Sequence, residues 1–172
     1  ELLLAQTCGW PYATALRGRV RLVATPVYDA EGCAGGDYRS AIVVRAEDPA
    51  ASLAAMRGAR LAFNSPVSQS GVHALRAAIA PLAGGRRFFG ASVETGGHRA
   101  SAEAVASGAA DIAALDCVSW ALMRDHAPAL TARLRVLGWT PAAPGLPLIA
   151  SLGTDAAALA ALREAVLETF AS

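Results

Sequence analysis

The segment Asn64-Ser65-Pro66-Val67-Ser68-Gln69-Ser70-Gly71 places hydroxyls, a glycine and a run of backbone N–H groups between an apolar run and an amphipathic stretch. At a helix start such donors point one way, and the helix dipole adds about half a positive charge. The loop can therefore cradle an anion without Lys or Arg. It also reads as a plain serine N-cap preceded by a turn, but its order is wrong for a phosphate loop, which would end in Gly-Lys-Ser/Thr. A second loop, Thr95-Gly96-Gly97-His98-Arg99-Ala100-Ser101, again joins an apolar run to a helical pattern. Its glycines permit close backbone approach, and His98 is either a donor to an oxyanion or a structural histidine. In Asp111-Ile112-Ala113-Ala114-Leu115-Asp116-Cys117 the buried-strand pattern runs into Asp116, a ligand acceptor or a helix cap; Asp111 reads as a turn or packing residue. Tyr38 offers an aromatic wall with a hydroxyl tip, or a plain edge tyrosine.

Ser68 or Ser70 with His98 has the makings of a nucleophile and base. No G-x-S-x-G elbow occurs, and no third residue in the sequence is placed to orient the histidine. We therefore expect binding without catalysis. The formal net charge of +1 lacks the basic excess of a nucleic-acid binder. With 54% hydrophobic residues in 172, the chain can build a core for one domain or two small lobes. No apolar run approaches the roughly 18 residues of a membrane span. The spacing of Cys8, Cys33 and Cys117 fits no metal motif. Cys8 follows a strand end and Cys33 lies in a Gly-rich connection, so the expected disulfide is Cys8–Cys33, with Cys117 free.

Apolar runs alternate with amphipathic stretches, the pattern of an α/β protein. The expected strands are 2–6, 20–26, 40–45, 60–63, 87–89, 112–115, 134–138 and 148–150. The expected helices are 49–56, 71–82, 100–107, 118–125 and 155–170. The last helix presents Leu159, Leu162, Ala165, Val166 and Phe170 at three- and four-residue steps, with Thr154 or Asp155 as its cap. The opening strand is apolar with nothing before it to cover its faces. It predicts a chain that continues upstream and a first lobe with an exposed apolar patch or an unpaired edge.

An ordered set of motifs spans the chain from about residue 5: Tyr38 before Ala41-Ile42-Val43-Val44, Ser52-Leu53-Ala54-Ala55-Met56-Arg57-Gly58, Ser68-Gln69-Ser70-Gly71, Thr95-Gly96-Gly97-His98, Val105-Ala106-Ser107-Gly108-Ala109-Ala110-Asp111, and Pro144-Gly145-Leu146-Pro147. This set resembles the periplasmic phosphate/phosphite/phosphonate-binding proteins of ABC transporters. The resemblance implies a two-lobed type II periplasmic-binding fold that closes on a small oxyanion and delivers it to a membrane permease. Lobe one would comprise 1–44 and 134–172, incomplete at its start, and lobe two 45–133. By that resemblance the ligand would meet Tyr38, Ser68, Gln69, Ser70 and His98; Thr7 and Asp116 are further candidates outside it. Gln69 departs from the Thr that the family often carries. Val118 and Leu146 stand where aminophosphonate binders carry acidic groups, so an aminophosphonate is not expected unless Asp116 substitutes. The alternatives are a ligand-sensing domain of a larger receptor and an enzyme on the same fold.

Overall fold

A computed structural model describes residues 2–171, with side chains as far as Thr169. Along the chain, β1 (Ala5–Gln6) leads into α1 (Gly9–Pro11), which continues as a π-helical turn over Tyr12–Leu16, and then into β2 (Val20–Ala24). Two short strands follow, β3 (Cys33–Ala34) and β4 (Asp37–Tyr38), and then β5 (Ser40–Arg45). After a 3-10 turn over Leu53–Met56 come β6 (Arg60–Phe63), a π-helical turn over Gln69–His73 and α2 (Ala74–Ala83). Next are β7 (Ala91–Glu94), α3 (His98–Ala106), β8 (Ile112–Asp116), α4 (Cys117–His126) and α5 (Pro128–Thr131). The chain closes with β9 (Leu134–Trp139), β10 (Ala143–Pro144), β11 (Leu148–Ser151) and α6 (Ala156–Ala171).

The largest sheet has the order β7-β6-β8-β5-β9. β6 is parallel to β7 and β8, whereas β5 is antiparallel to β8 and β9. Its central strands β5 and β8 are buried almost throughout, as their unbroken apolar runs require. Successive residues feed opposite faces. Ala41, Val43, Ala113 and Leu115 pack with Val105 and Trp120 on one side. Ile42, Val44, Ile112 and Ala114 pack with Leu75, Ile79 and Phe88 on the other.

A second sheet, β1-β11-β2, is antiparallel, and a small third sheet, β10-β4-β3, lies between the two in the chain. The lobe boundary expected at 44/45 and 133/134 falls inside the large sheet, because β5 and β9 both belong to its hydrogen-bond ladder. α6 packs against β2 with Leu159, Leu162 and Val166 half-buried, and Asp155 caps it by accepting from the Ala158 N–H at 2.8 Å. Arg163 fixes it by donating to the Val23 and Leu22 carbonyls at 3.0 and 2.9 Å. The side chain of Phe170, expected on the same face, lies outside the described residues.

The strand expected over 2–6 is a strand only at Ala5–Gln6, and the short elements α1, β3, β4, α5 and β10 had no expected counterpart; two further elements differ for identifiable reasons. The helix expected over 49–56 is reduced to the 3-10 turn, because the Asp48 side chain takes the Ala50 N–H at 2.8 Å and Ser52 is extended. The strand expected at 87–89 lies at Ala91–Glu94 instead. Phe88 is buried in the core beneath α2, with the Arg57 guanidinium 4.9 Å from its ring centroid. Gly90 then passes Gly58 so closely that a Cβ there would stand 2.4 Å from the Gly58 carbonyl oxygen.

Candidate functional site

The strand β6 ends at Phe63, and the chain turns through Asn64 into the Ser68 cap. Ser68 Oγ accepts from the Gly71 N–H at 3.0 Å, so the expected serine cap is present and that hydroxyl is committed to the helix. Ser70 lies one step on, 4% exposed, with its Oγ 3.5 Å from Ser68 Oγ and 3.0 Å from His98 Nε2. His98 opens α3 at the carboxyl side of β7, so the two loops meet as their positions after parallel strands imply. Thr95 Oγ1 braces this loop, 2.6 Å from Ser101 Oγ.

Asp116 closes the group. Its Oδ2 is 3.3 Å from His98 Nε2, and Ser119 donates its N–H to Oδ1 at 2.8 Å and its hydroxyl to Oδ2 at 2.6 Å. Both alternatives for Asp116 hold at once: it caps α4 and faces the histidine. Burial lowers the His98 pKa below its ordinary value, and the Asp116 carboxylate opposes that shift. Tyr38, on β4, is 4% exposed; its hydroxyl and His98 Nδ1 are buried and make no hydrogen bond of full geometry among the described residues, although the Ser70 hydroxyl faces the phenol and the Ala114 backbone faces the His98 ring. Burial raises the Tyr38 phenol well above its usual range, Cys8 and Asp116 add to this, and the Ser70 hydroxyl opposes it.

The structure thus brings Tyr38, Ser68, Ser70, His98 and Asp116 together. The Gln69 stem would lie 3.6 Å from a Cβ on Gly9, and its N–H donates to Cys8 Sγ at 3.2 Å. Thr7 is held through its backbone, donating to the Pro147 carbonyl at 3.0 Å, and no described contact joins it to Ser70 or His98. Sequence patterns missed Ser40 and Thr140. Ser40 Oγ donates to the Ser70 carbonyl at 3.0 Å, and the Ser40 N–H donates to Thr140 Oγ1 at 2.9 Å. Asn64 Oδ1 and His73 Nε2 were missed too; both atoms are buried without a hydrogen bond of full geometry among the described residues, with His73 stacked on Trp10 at 3.6 Å between ring centroids. Only the polar residue types in these loops hinted at such roles.

The cysteine pairing also differs from expectation. Cys33 Sγ lies 3.1 Å from Cys117 Sγ rather than beside Cys8, and all three thiols are free. The β3–β4 hairpin carries Cys33 to the start of α4, whereas Cys8 lies against the Gln69 turn.

Solved structures share this fold. PhnD1 from Prochlorococcus marinus in complex with methylphosphonate matches with a TM-score of 0.77 and 20% identity, over 95% of this chain and 63% of that one. A Xanthomonas citri protein bound to ATP matches at 0.74 and 22%, over 97% and 63%. The binding component of an ABC phosphonate transporter from Pseudomonas aeruginosa matches at 0.74 and 19%, over 97% and 55%. The chain therefore spans less than two thirds of each of these proteins. A histidine kinase sensor domain similar to periplasmic binding proteins aligns at a TM-score of 0.59 and 22% identity. No curated protein sequence matches significantly. The fold is that of the type II periplasmic binding proteins. The model of the periplasmic substrate-binding proteins of ABC phosphonate transporters matches residues 2–170, and this chain belongs to that family.

Proposed function

We propose that this chain forms part of an extracytoplasmic substrate-binding protein that holds a small oxyanion of the phosphonate, phosphite or phosphate class and passes it to an ABC permease. The observation that carries the reading is the buried group of Ser70 Oγ, His98 Nε2 and the Tyr38 hydroxyl, which faces Ser70, at the start of the Gln69–Ala83 helical segment. Hydroxyl, imidazole and helix-start N–H groups donate to an oxyanion at little electrostatic cost. We assign 40–139 to one lobe, with Ser70, His98 and Asp116, and 1–39 with 140–171 to the other, with Tyr38. The ligand is then gripped from both sides.

The geometry disfavours the enzyme reading. In a hydrolytic triad the carboxylate holds the imidazole nitrogen opposite the nucleophile. Here Ser70 and Asp116 both approach Nε2, so the carboxylate does not hold the opposite nitrogen. A sensing domain would use the same clamp, as the sensor-domain fold match illustrates. The genes flanking the full-length protein separate the two: a permease and ATPase, or a kinase.

Calorimetric titration with methylphosphonate, phosphite and phosphate tests the proposal. Binding of at least one is expected, and Ser70→Ala should weaken it by about 1–3 kcal/mol while the circular dichroism spectrum is retained. Equal affinity in Ser70→Ala, or no binding of any of the three, would overturn it.

A further inference from the structure

Cys33 and Cys117 are 84 residues apart in sequence, yet their sulfurs stand 3.1 Å from each other. A covalent S–S bond of about 2.05 Å requires them to close by only about 1 Å. The backbone is shaped for this approach. Gly32, at φ +98°, runs so tightly past α4 that a Cβ would stand 2.6 Å from the Trp139 ring and 2.9 Å from Cys117 Cβ. Both cysteines also bracket the Tyr38 segment. Cys33 is paired opposite Tyr38 in the β3–β4 ladder, and the Cys117 N–H donates to the Arg39 carbonyl at 3.1 Å.

We propose that Cys33 and Cys117 form a disulfide that fastens the Tyr38 hairpin to the start of α4, leaving Cys8 as the free thiol. The oxidant is an external disulfide, either a small one such as oxidised glutathione or that of a protein thiol oxidant. Cys33 is half-buried and Cys117 is fully buried, so Cys33 is the sulfur within reach of such a partner. Its thiolate attacks the external disulfide, forms a mixed disulfide and releases one thiolate. Cys117 then attacks the Cys33 sulfur and releases the second. The two protein sulfurs are oxidised, the external disulfide is reduced to two thiols, and the two protein protons go to the leaving thiolates. Burial, with Cys117 adjoining, pushes the Cys33 thiol up to about 12, so spontaneous exchange is slow and a catalysing oxidant speeds it.

The test is to equilibrate the protein in a glutathione redox buffer, block free thiols and map peptides without reduction. The expected result is a Cys33–Cys117 linked peptide with Cys8 alkylated. Dithiothreitol should then lower the Tm by about 5–10 °C, the scale expected for opening a long loop in a chain of this size. Cys33→Ser and Cys117→Ser should melt at that lower temperature with or without dithiothreitol. Three alkylated cysteines after oxidation, a linkage through Cys8, or a Tm indifferent to reduction would overturn the proposal. The peptide map of the unsubstituted protein decides the pairing even where a variant folds poorly.

Discussion

At the scale of single residues, the buried ionisable groups set the response to pH. His98 has its pKa lowered from the ordinary 6.5, first by burial, and His73 is lowered likewise by burial and by Arg76. The unfolded chain thus takes up protons as pH falls through 6.5 while the folded rings resist. Stability from both is complete above that value and declines below it, until the folded rings are themselves protonated. His98→Gln should shrink this decline, leaving the His73 share, as measured by urea unfolding across that range. Asp111 gives a second, more acidic limb. Hydrogen bonds from Arg60 lower its pKa from 3.8 to about 2, and Arg45 adds its charge at 3.6 Å. Its contribution is complete above the ordinary carboxylate value and is lost as pH falls towards about 2. Asp111→Asn should reduce stability at neutral pH and flatten this acid limb. Sequence reading placed Asp111 correctly as a packing residue; the arginines that hold it come from β5 and β6, beyond any local pattern.

At the scale of elements, the helix starts aim the donors. The turn over Gln69–His73 is set by the Ser68 cap and by the lack of a side chain at Gly71. A Cβ on Gly71 would stand 2.0 Å from Asn64 Oδ1, so Gly71→Ala must displace the Asn64 segment or the turn. The expected loss is about 1–3 kcal/mol in denaturant unfolding, with methylphosphonate affinity falling as Ser70 is re-aimed. The helix misread at 49–56 and the strand misread at 87–89 share one cause. In both, a local propensity is overridden by a specific contact: the Asp48 turn in one, the burial of Phe88 in the other. The elements that carry the candidate donors were legible because their signals are local, a hydroxyl-rich turn followed by a helical period.

At the scale of the whole molecule, the chain passes between the large sheet and the remainder at Ser40 and again at Thr140. These residues, each 1% exposed, hold one another: the Ser40 N–H donates to Thr140 Oγ1 at 2.9 Å, and the Thr140 N–H to the Ser40 carbonyl at 3.0 Å. Thr140→Val keeps the shape but strands the Ser40 N–H. It should cost about 1–3 kcal/mol of stability in thermal or urea unfolding. Because Ser40 Oγ also holds the Ser70 carbonyl, the same variant should weaken methylphosphonate binding in calorimetry. Exposed apolar side chains lie on and beside the β1-β11-β2 sheet: Leu22 of β2 is 41% exposed, Leu3 before β1 73%, and Leu152 after β11 51%.

The sequence by itself determined the alternation of strands and helices, the apolar runs of β5 and β8, and the two loops that hold Ser70 and His98. Each of these depends on residues within a turn or two of one another, where periodicity and capping act. Tertiary structure decided which cysteine meets Cys33 and that Ser70 and Asp116 share one nitrogen of His98. It also assigned β5 and β9 to the large sheet. Those outcomes rest on the path of the backbone between distant segments. Strand register and the close approaches allowed at Gly32 and Gly71 set that path, and neither is encoded in a local run of residues.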